Sequence, residues 1–300
     1  MESTEVTTID TNNYAAMAKM SGIANEARGE KKSSSTLARL RVSHTPIMGE
    51  TEINGKTVKA EVVSGGTYKL EIPNGATYYG ASIEVRPYLT RFMYKRFVRG
   101  TGDTSNRFIK TVMADDLNID LKDNDGGFNC GKPAGWIEDF NNLPDSTKDL
   151  IKSIRRTRVV FGTVKLVNAV DESGESVDVD ETPFIWEIDN RDAFKNVSSV
   201  FNKLAKMQLM PLQHVFTSTT ESRTIPSGQV FYVPITNLNI TNKLEITKND
   251  HDMFADFLAW VENYNKYILG EWDERQHLHK EESPFDASEI VDIEVDLETA

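Results

Sequence analysis

The chain has 300 residues, 39% of them hydrophobic and 27% charged, with a formal net charge of -12. That length allows one large domain or two small ones with a real core. No run approaches the roughly 18 apolar residues of a membrane-spanning helix. The N-terminus has neither the basic nor the continuous apolar region of a secretory signal. The single cysteine, Cys130, excludes an internal disulfide framework and a multi-thiolate zinc site, and suits a reducing cytoplasm.

Residues 1–36 are polar and rich in small side chains, with at most a short helix over Tyr14–Met20, and read as a flexible arm. From residue 37 short strands punctuated by turns are expected. Asn54-Gly55 is a hairpin signal, and Gly65-Gly66 and Pro73-Asn74-Gly75 are further turns. Val58–Val63 and Tyr68–Ile72 alternate as strands, and Ser82–Leu89, Thr90–Val98 and Arg107–Met113 follow.

The stretch Ser82–Met113 is a basic, aromatic-rich island in an acidic chain. It carries seven cations (Arg86, Arg91, Lys95, Arg96, Arg99, Arg107, Lys110) against two acidic residues, with Tyr88, Phe92, Tyr94, Phe97 and Phe108 interleaved. Cations meet phosphates and aromatic faces stack on unpaired bases, so the island predicts a surface for single-stranded nucleic acid. The structural alternative is an edge hairpin whose cations block aggregation and whose aromatics face a core.

Residues 115–149, rich in Asp, Asn, Gly and Pro, read as an insertion between strands. A short helix is expected near Asp145–Ile154, capped by Asp145 or Ser146. The carboxylates Asp115, Asp116, Asp120, Asp123 and Asp125 invite a metal reading. A calcium loop with Gly126 at its sixth position would need a carboxylate at Leu121 and a Glu at Lys132, and fails.

A β-branched run then starts at Arg155, with Gly162 as a bulge candidate. It is preceded by Lys152 and carries Arg155, Arg156, Arg158, Phe161 and Lys165. Arg156, Arg158 and Phe161 join the expected binding set, with the two basic segments lining one groove. The alternative for Arg155 and Arg156 is complementing a helix C-terminus.

Residues 182–189 form another strand, and Asp192–Met210 has helical spacing with Phe194, Val197, Phe201, Leu204 and Ala205 on one face. Val215–Thr219, Gln229–Ile235 and Asn239–Ile246 read as strands. Asp250–Leu269 is the clearest helix, its stripe Phe254, Phe257, Leu258, Val261, Tyr264 and Ile268 ending at Gly270. Residues 271–300 form an acidic tail. Eight acidic residues and no Lys or Arg fall in 281–300, which leaves 38 acidic against 34 basic residues in the rest of the chain. A tethered polyanion can compete with DNA for a cationic groove, or attract basic partners.

No phosphate-cradling glycine loop, nucleophile elbow or zinc-protease helix motif is present, and the five histidines are scattered. No catalysis, cofactor or metal is therefore expected. Cys130 reads as a buried cysteine.

In this order the features resemble the single-stranded-DNA-binding, helix-destabilising proteins of tailed bacteriophages. Lys31–Thr36 (KKSSST) is similar to the basic-plus-hydroxyl arm used there for cooperative contact, although it sits deeper in this chain. SIEVRPYL with FMYKRFV resembles an early strand pair of that family. RRTRVVFGTVKLV followed by PFIWEIDNRDAF resembles a strand–loop–strand–helix entry. CGKPAGWI lies where the family carries its zinc-binding insertion, but the ligands are missing, so no zinc is implied. Residues 210–269 have no counterpart.

The resemblance implies a mainly β protein with added helices (α+β). An OB-like barrel is expected over about 37–205, a strand and helix elaboration to about 270, and the acidic disordered tail beyond. It implies non-catalytic binding and protection of single-stranded DNA in phage replication or recombination. Self-association on DNA and contacts to replication or recombination proteins through the tail are further expectations. The expected location is the host cytoplasm, with no membrane partner. A virion assembly protein and a metal-dependent nuclease using Asp115–Asp125 are the alternatives.

Overall fold

The structure, a computed structural model, describes residues 37–53, 56–73, 75–102, 105–135 and 137–282. The expected N-terminal arm, the Asn54-Gly55 pair and the tail beyond Glu282 lie outside the described residues. The architecture is mixed α+β, mostly strands in one large sheet. Its strands are β1 (Ala38–Val42), β4 (Tyr68–Glu71), β5 (Thr77–Gly80), β6 (Ser82–Val98), β7 (Arg107–Lys110), β8 (Ile154–Val167), β9 (Thr182–Ile188), β10 (Val215–Thr224) and β11 (Val230–Asn239). They lie in the order β11-β10-β6-β8-β9-β1-β4-β5, with β7 also paired to β6. β2 (Ile47–Ile53) and β3 (Lys56–Val63) form a separate hairpin.

The expected barrel is not closed. β11 and β5 are the two free ends of the strand order, and the sheet curls without joining them. Side chains bridge the curl instead. The Tyr68 hydroxyl on β4 lies 2.6 Å from Ser218 Oγ on β10 and donates to Thr219 O at 3.2 Å. Burial lifts the Tyr68 phenol far above its ordinary pKa, so it stays neutral in this contact.

The two strands expected over 82–98 are one strand of 17 residues, and it pairs with β8 along almost its whole length. Its register shifts between Pro87 and Leu89. Proline cannot donate to the ladder, so the bulge belongs here, on β6, and not at Gly162 as expected. Gly162 has a different task. A Cβ there would collide with Arg86 O and lie 3.0 Å from Pro87 Cα, so only glycine lets the bulged backbone approach.

Helix α1 (Asp145–Ser153) forms where expected, but Pro144 is its N-cap residue and no side chain caps it. Helix α2 (Arg191–Lys206) starts at Asn190, whose Oδ1 accepts from Asp192 N at 2.9 Å and Ala193 N at 3.1 Å. Val197, Val200, Phe201 and Leu204 of α2 pack on Val160, Val164, Phe184, Trp186 and Phe216 of one sheet face. The strand expected over Asn239–Ile246 does not form; β11, expected over Gln229–Ile235, runs on to Asn239 and residues 240–247 are not strand.

Helix α3 (Lys248–Glu282) covers the other face. Phe257 and Val261 pack on Tyr88, Leu89, Met93, Val159 and Phe161. Each such large side chain contributes about 1.5–3 kcal/mol on burial. Gly270 does not stop this helix. An internal glycine costs about 1 kcal/mol, and the following turns find partners that offset it. Trp272 Nε1 donates to Gly127 O at 3.1 Å, its ring meets Phe128 edge-on, and Gln276 Nε2 donates to Gly126 O at 2.6 Å.

Candidate nucleic-acid interface

Strand alternation divides the basic island between two faces. Beyond the bulge, β6 presents Leu89, Arg91, Met93, Lys95 and Phe97 to the α3 side, and Thr90, Phe92, Tyr94 and Arg96 to the α2 side. The register carries this across the sheet. Lys95 pairs with Arg155 and Lys110, and Phe97 with Phe108, while Tyr94 pairs with Arg156 and Phe92 with Arg158. One groove lined by all the expected residues is therefore not formed.

Several expected binding residues are structural. Arg86 forms a bidentate pair with Asp250, at 2.8 and 3.1 Å, and donates through Nε to Leu212 O at 2.7 Å. The Tyr88 hydroxyl donates to the same carboxylate, and its ring meets Phe257 edge-on. Burial works against the Asp250 anion, but the bonds from Tyr88, Thr247 and Arg86 outweigh it and hold its carboxyl well below the usual range. This cluster fixes the start of α3 to β6.

Phe161 is wholly buried against Phe257 and Trp260, and Tyr94 lies in the core beneath the insertion with Ile109, Leu121 and Cys130. Neither can stack on a base. Arg158 is only 6% exposed. It donates to Ser198 Oγ and Thr90 Oγ1, both at 3.0 Å, and its guanidinium lies 4.4 Å from the centre of the Phe92 ring. That burial pushes its pKa down to about 10.

Four other cations are ion-paired. Arg91 meets Asp115 and Arg107 meets Asp125. Lys95 meets Glu187 at 3.2 Å and Asp189 at 2.8 Å, and Lys110 meets Glu187 at 3.6 Å. Lys95 is held charged because these carboxylates outweigh the desolvation of its ammonium, which raises its pKa.

The insertion's other carboxylates, Asp116, Asp120 and Asp123, serve the loop itself. Asp123 Oδ1 accepts from Asp125 N at 3.0 Å and Gly127 N at 2.9 Å, and Oδ2 from Cys130 N at 3.0 Å. Asp116 binds Asn118 and Asp120 binds Asn129. Among the described residues no cluster of three His, Cys, Asp or Glu side chains is arranged to hold a metal. The Cys130 thiol is buried, and burial with Asp123 nearby pushes its pKa up to about 12.

What is left accessible lies at one end of the sheet, where β6, β7 and β8 begin or finish. Phe97 and Phe108 are 45% and 49% exposed, with ring centres 5.0 Å apart across the strand pair. Lys95 Nζ stands 5.7 Å from the centre of the Phe108 ring. Arg155, on the same face by register, is exposed, and Arg99 is exposed just beyond β6. Neither makes an ion pair within the described residues. Arg155 was absent from the expected binding set, although strict period-two alternation from Lys95 identifies its face once the register is known.

No protein-family model, curated protein or solved structure matches this chain. The reading of the site rests on its own chemistry.

Proposed function

We propose that this protein binds and protects single-stranded DNA without catalysis, in the manner of the phage helix-destabilising proteins its sequence resembles. The observation that carries this reading is the exposed Phe97–Phe108 pair at the sheet end that also carries Arg99 and Arg155, two exposed cations with no ion pair among the described residues. Two half-exposed aromatic faces cost apolar surface in water and offer platforms to unpaired bases, and neighbouring guanidiniums meet the phosphates. The curled sheet supports an OB-like reading through the Tyr68–Ser218 bridge, with the ladder left open between β11 and β5. The acidic segment beyond Glu282 acts in this reading as a tethered competitor or a lure for basic partners in replication or recombination.

The test is fluorescence anisotropy with a labelled oligonucleotide, single-stranded and duplex, at two salt concentrations. The expected result is preference for the single strand, with log affinity falling by about 0.7 per log salt for each neutralised phosphate. No binding to either form would remove the nucleic-acid reading. Concentration-dependent self-assembly that ignores DNA would then favour a virion assembly role, and cleavage in magnesium or manganese a nuclease.

A further inference from the structure

The α2 face near the same end of the sheet holds three cations, none of them within ion-pair distance of a carboxylate among the described residues. Lys132 Nζ donates to the Tyr94 hydroxyl oxygen at 3.3 Å and to Gly135 O at 3.5 Å, and lies 5.1 Å from the centre of the Tyr94 ring. Arg156 pairs with Tyr94 across the ladder and sits 5.7 Å from the centre of the Phe194 ring. Arg96 Nη1 lies close to Gly131, the neighbour of Lys132, and Arg96 Nε is buried without a hydrogen-bond acceptor among the described residues. None of the three forms an ion pair within the described residues.

This is the reverse of the α3 face, where Lys95 and Lys110 are matched by Glu187 and Asp189. Burial, and then the charge of Arg156, push the Lys132 ammonium below its ordinary pKa. Like charges held together in a partly buried place cost stability, and an arriving anion removes that cost. Arg156 is exposed, and Lys132 and Arg96 are half-buried, so an anion can reach them. The site also has a route to the aromatic pair. β9 pairs with β8 only from Arg158 onward, so among the described residues no strand pairs with Ile154–Thr157 on that side, where exposed Arg155 and Arg156 point to opposite faces.

We propose that Lys132, Arg156 and Arg96 form a phosphate-binding site for a nucleic-acid backbone that passes from Phe97 and Phe108 around this free edge of β8. The proposal rests on the single-strand-binding reading above, and two probes separate them. Inorganic tripolyphosphate, followed by calorimetry, reports the anion site alone. A single-stranded oligonucleotide, followed across a salt series, reports the whole path.

Tripolyphosphate should bind the unaltered chain and F97A/F108A alike, and bind K132Q/R156Q at least tenfold more weakly. The oligonucleotide salt slope should fall by about 1.4 in K132Q/R156Q, at about 0.7 for each lost phosphate contact. R156Q alone, at an exposed position, should lose about half of that slope and controls for folding. Unchanged tripolyphosphate affinity with an unchanged slope in these variants would overturn the site. Tripolyphosphate binding that depends on Lys132 and Arg156, with no oligonucleotide binding to the unaltered chain, would overturn the nucleic-acid occupant.

Discussion

Asp250→Ala is the sharpest test of how the sheet holds its C-terminal helix. Asp250 is 4% exposed and accepts from five donors: two Arg86 nitrogens at 2.8 and 3.1 Å, the Tyr88 hydroxyl, and Thr247 N and Oγ1 at 2.7 and 2.9 Å. Truncation leaves the Arg86 guanidinium largely buried without its anion, and the Tyr88 hydroxyl without its acceptor. Breaking one partner of such a pair costs about 3–5 kcal/mol. Denaturant unfolding at neutral pH should show this as a lower midpoint at unchanged slope. In the double variant R86M/D250A the loss should be smaller than the sum of the two single losses, because the unpaired charge is gone.

The pH dependence gives an independent arm. The folded carboxyl of Asp250 titrates below its ordinary value of 3.8. Its contribution is therefore complete above the unfolded pKa and is lost as the pH falls below about 4 toward the folded value. Asp250→Asn should flatten that part of the acid limb. A D250A loss under about 1 kcal/mol, or an acid limb unchanged in D250N, would refute the anchoring role.

F97A and F108A should each weaken oligonucleotide binding by about 1–3 kcal/mol per base left unstacked, while thermal melting stays near that of the unaltered chain because both rings are half-exposed. F161A should instead lose about 3–5 kcal/mol of stability through its cavity, with any binding defect tracking the unfolded fraction. Gly162→Ala should lower the melting temperature, since its Cβ would meet the Arg86 carbonyl and the Pro87 backbone, neither of which is a flexible side chain. Removal of residues 283–300 should tighten single-strand binding most at low salt, where a tethered polyanion competes best; equal affinity at every salt concentration would remove the competitor role.

The strands were largely legible, because period-two alternation and turn residues are local signals. The long amphipathic helices were legible through their stripes, but the end of α3 was not. Gly270 is a stop signal only when nothing follows to hold the next turns, and here Trp272 and Gln276 find Gly127 and Gly126 on a loop distant in sequence. The barrel was over-read for a related reason. Closure depends on whether β5 and β11 meet, and the sheet reaches β5 only through the parallel pairing of β1 with β9, which joins segments far apart in the chain.

The candidate site shows the same limit more sharply. Composition marks the stretch from Ser82 to Met113 as basic and aromatic-rich, but says nothing about which side chains share a face. That depends on one bulge. With the register shift between Pro87 and Leu89, Leu89 joins Phe161 on the α3 side, and every later residue of β6 follows in step. The same step sends Lys95, Phe97 and Arg155 to one face, and Tyr94, Arg96 and Arg156 to the other. A continuous basic stretch thus becomes two cationic surfaces back to back. One is matched by carboxylates beside exposed aromatics, and the other forms no ion pair among the described residues. A nucleic-acid strand that uses both must turn around the β8 edge, so the K132Q/R156Q salt slope measures the consequence of a single bulged residue at the centre of the sheet.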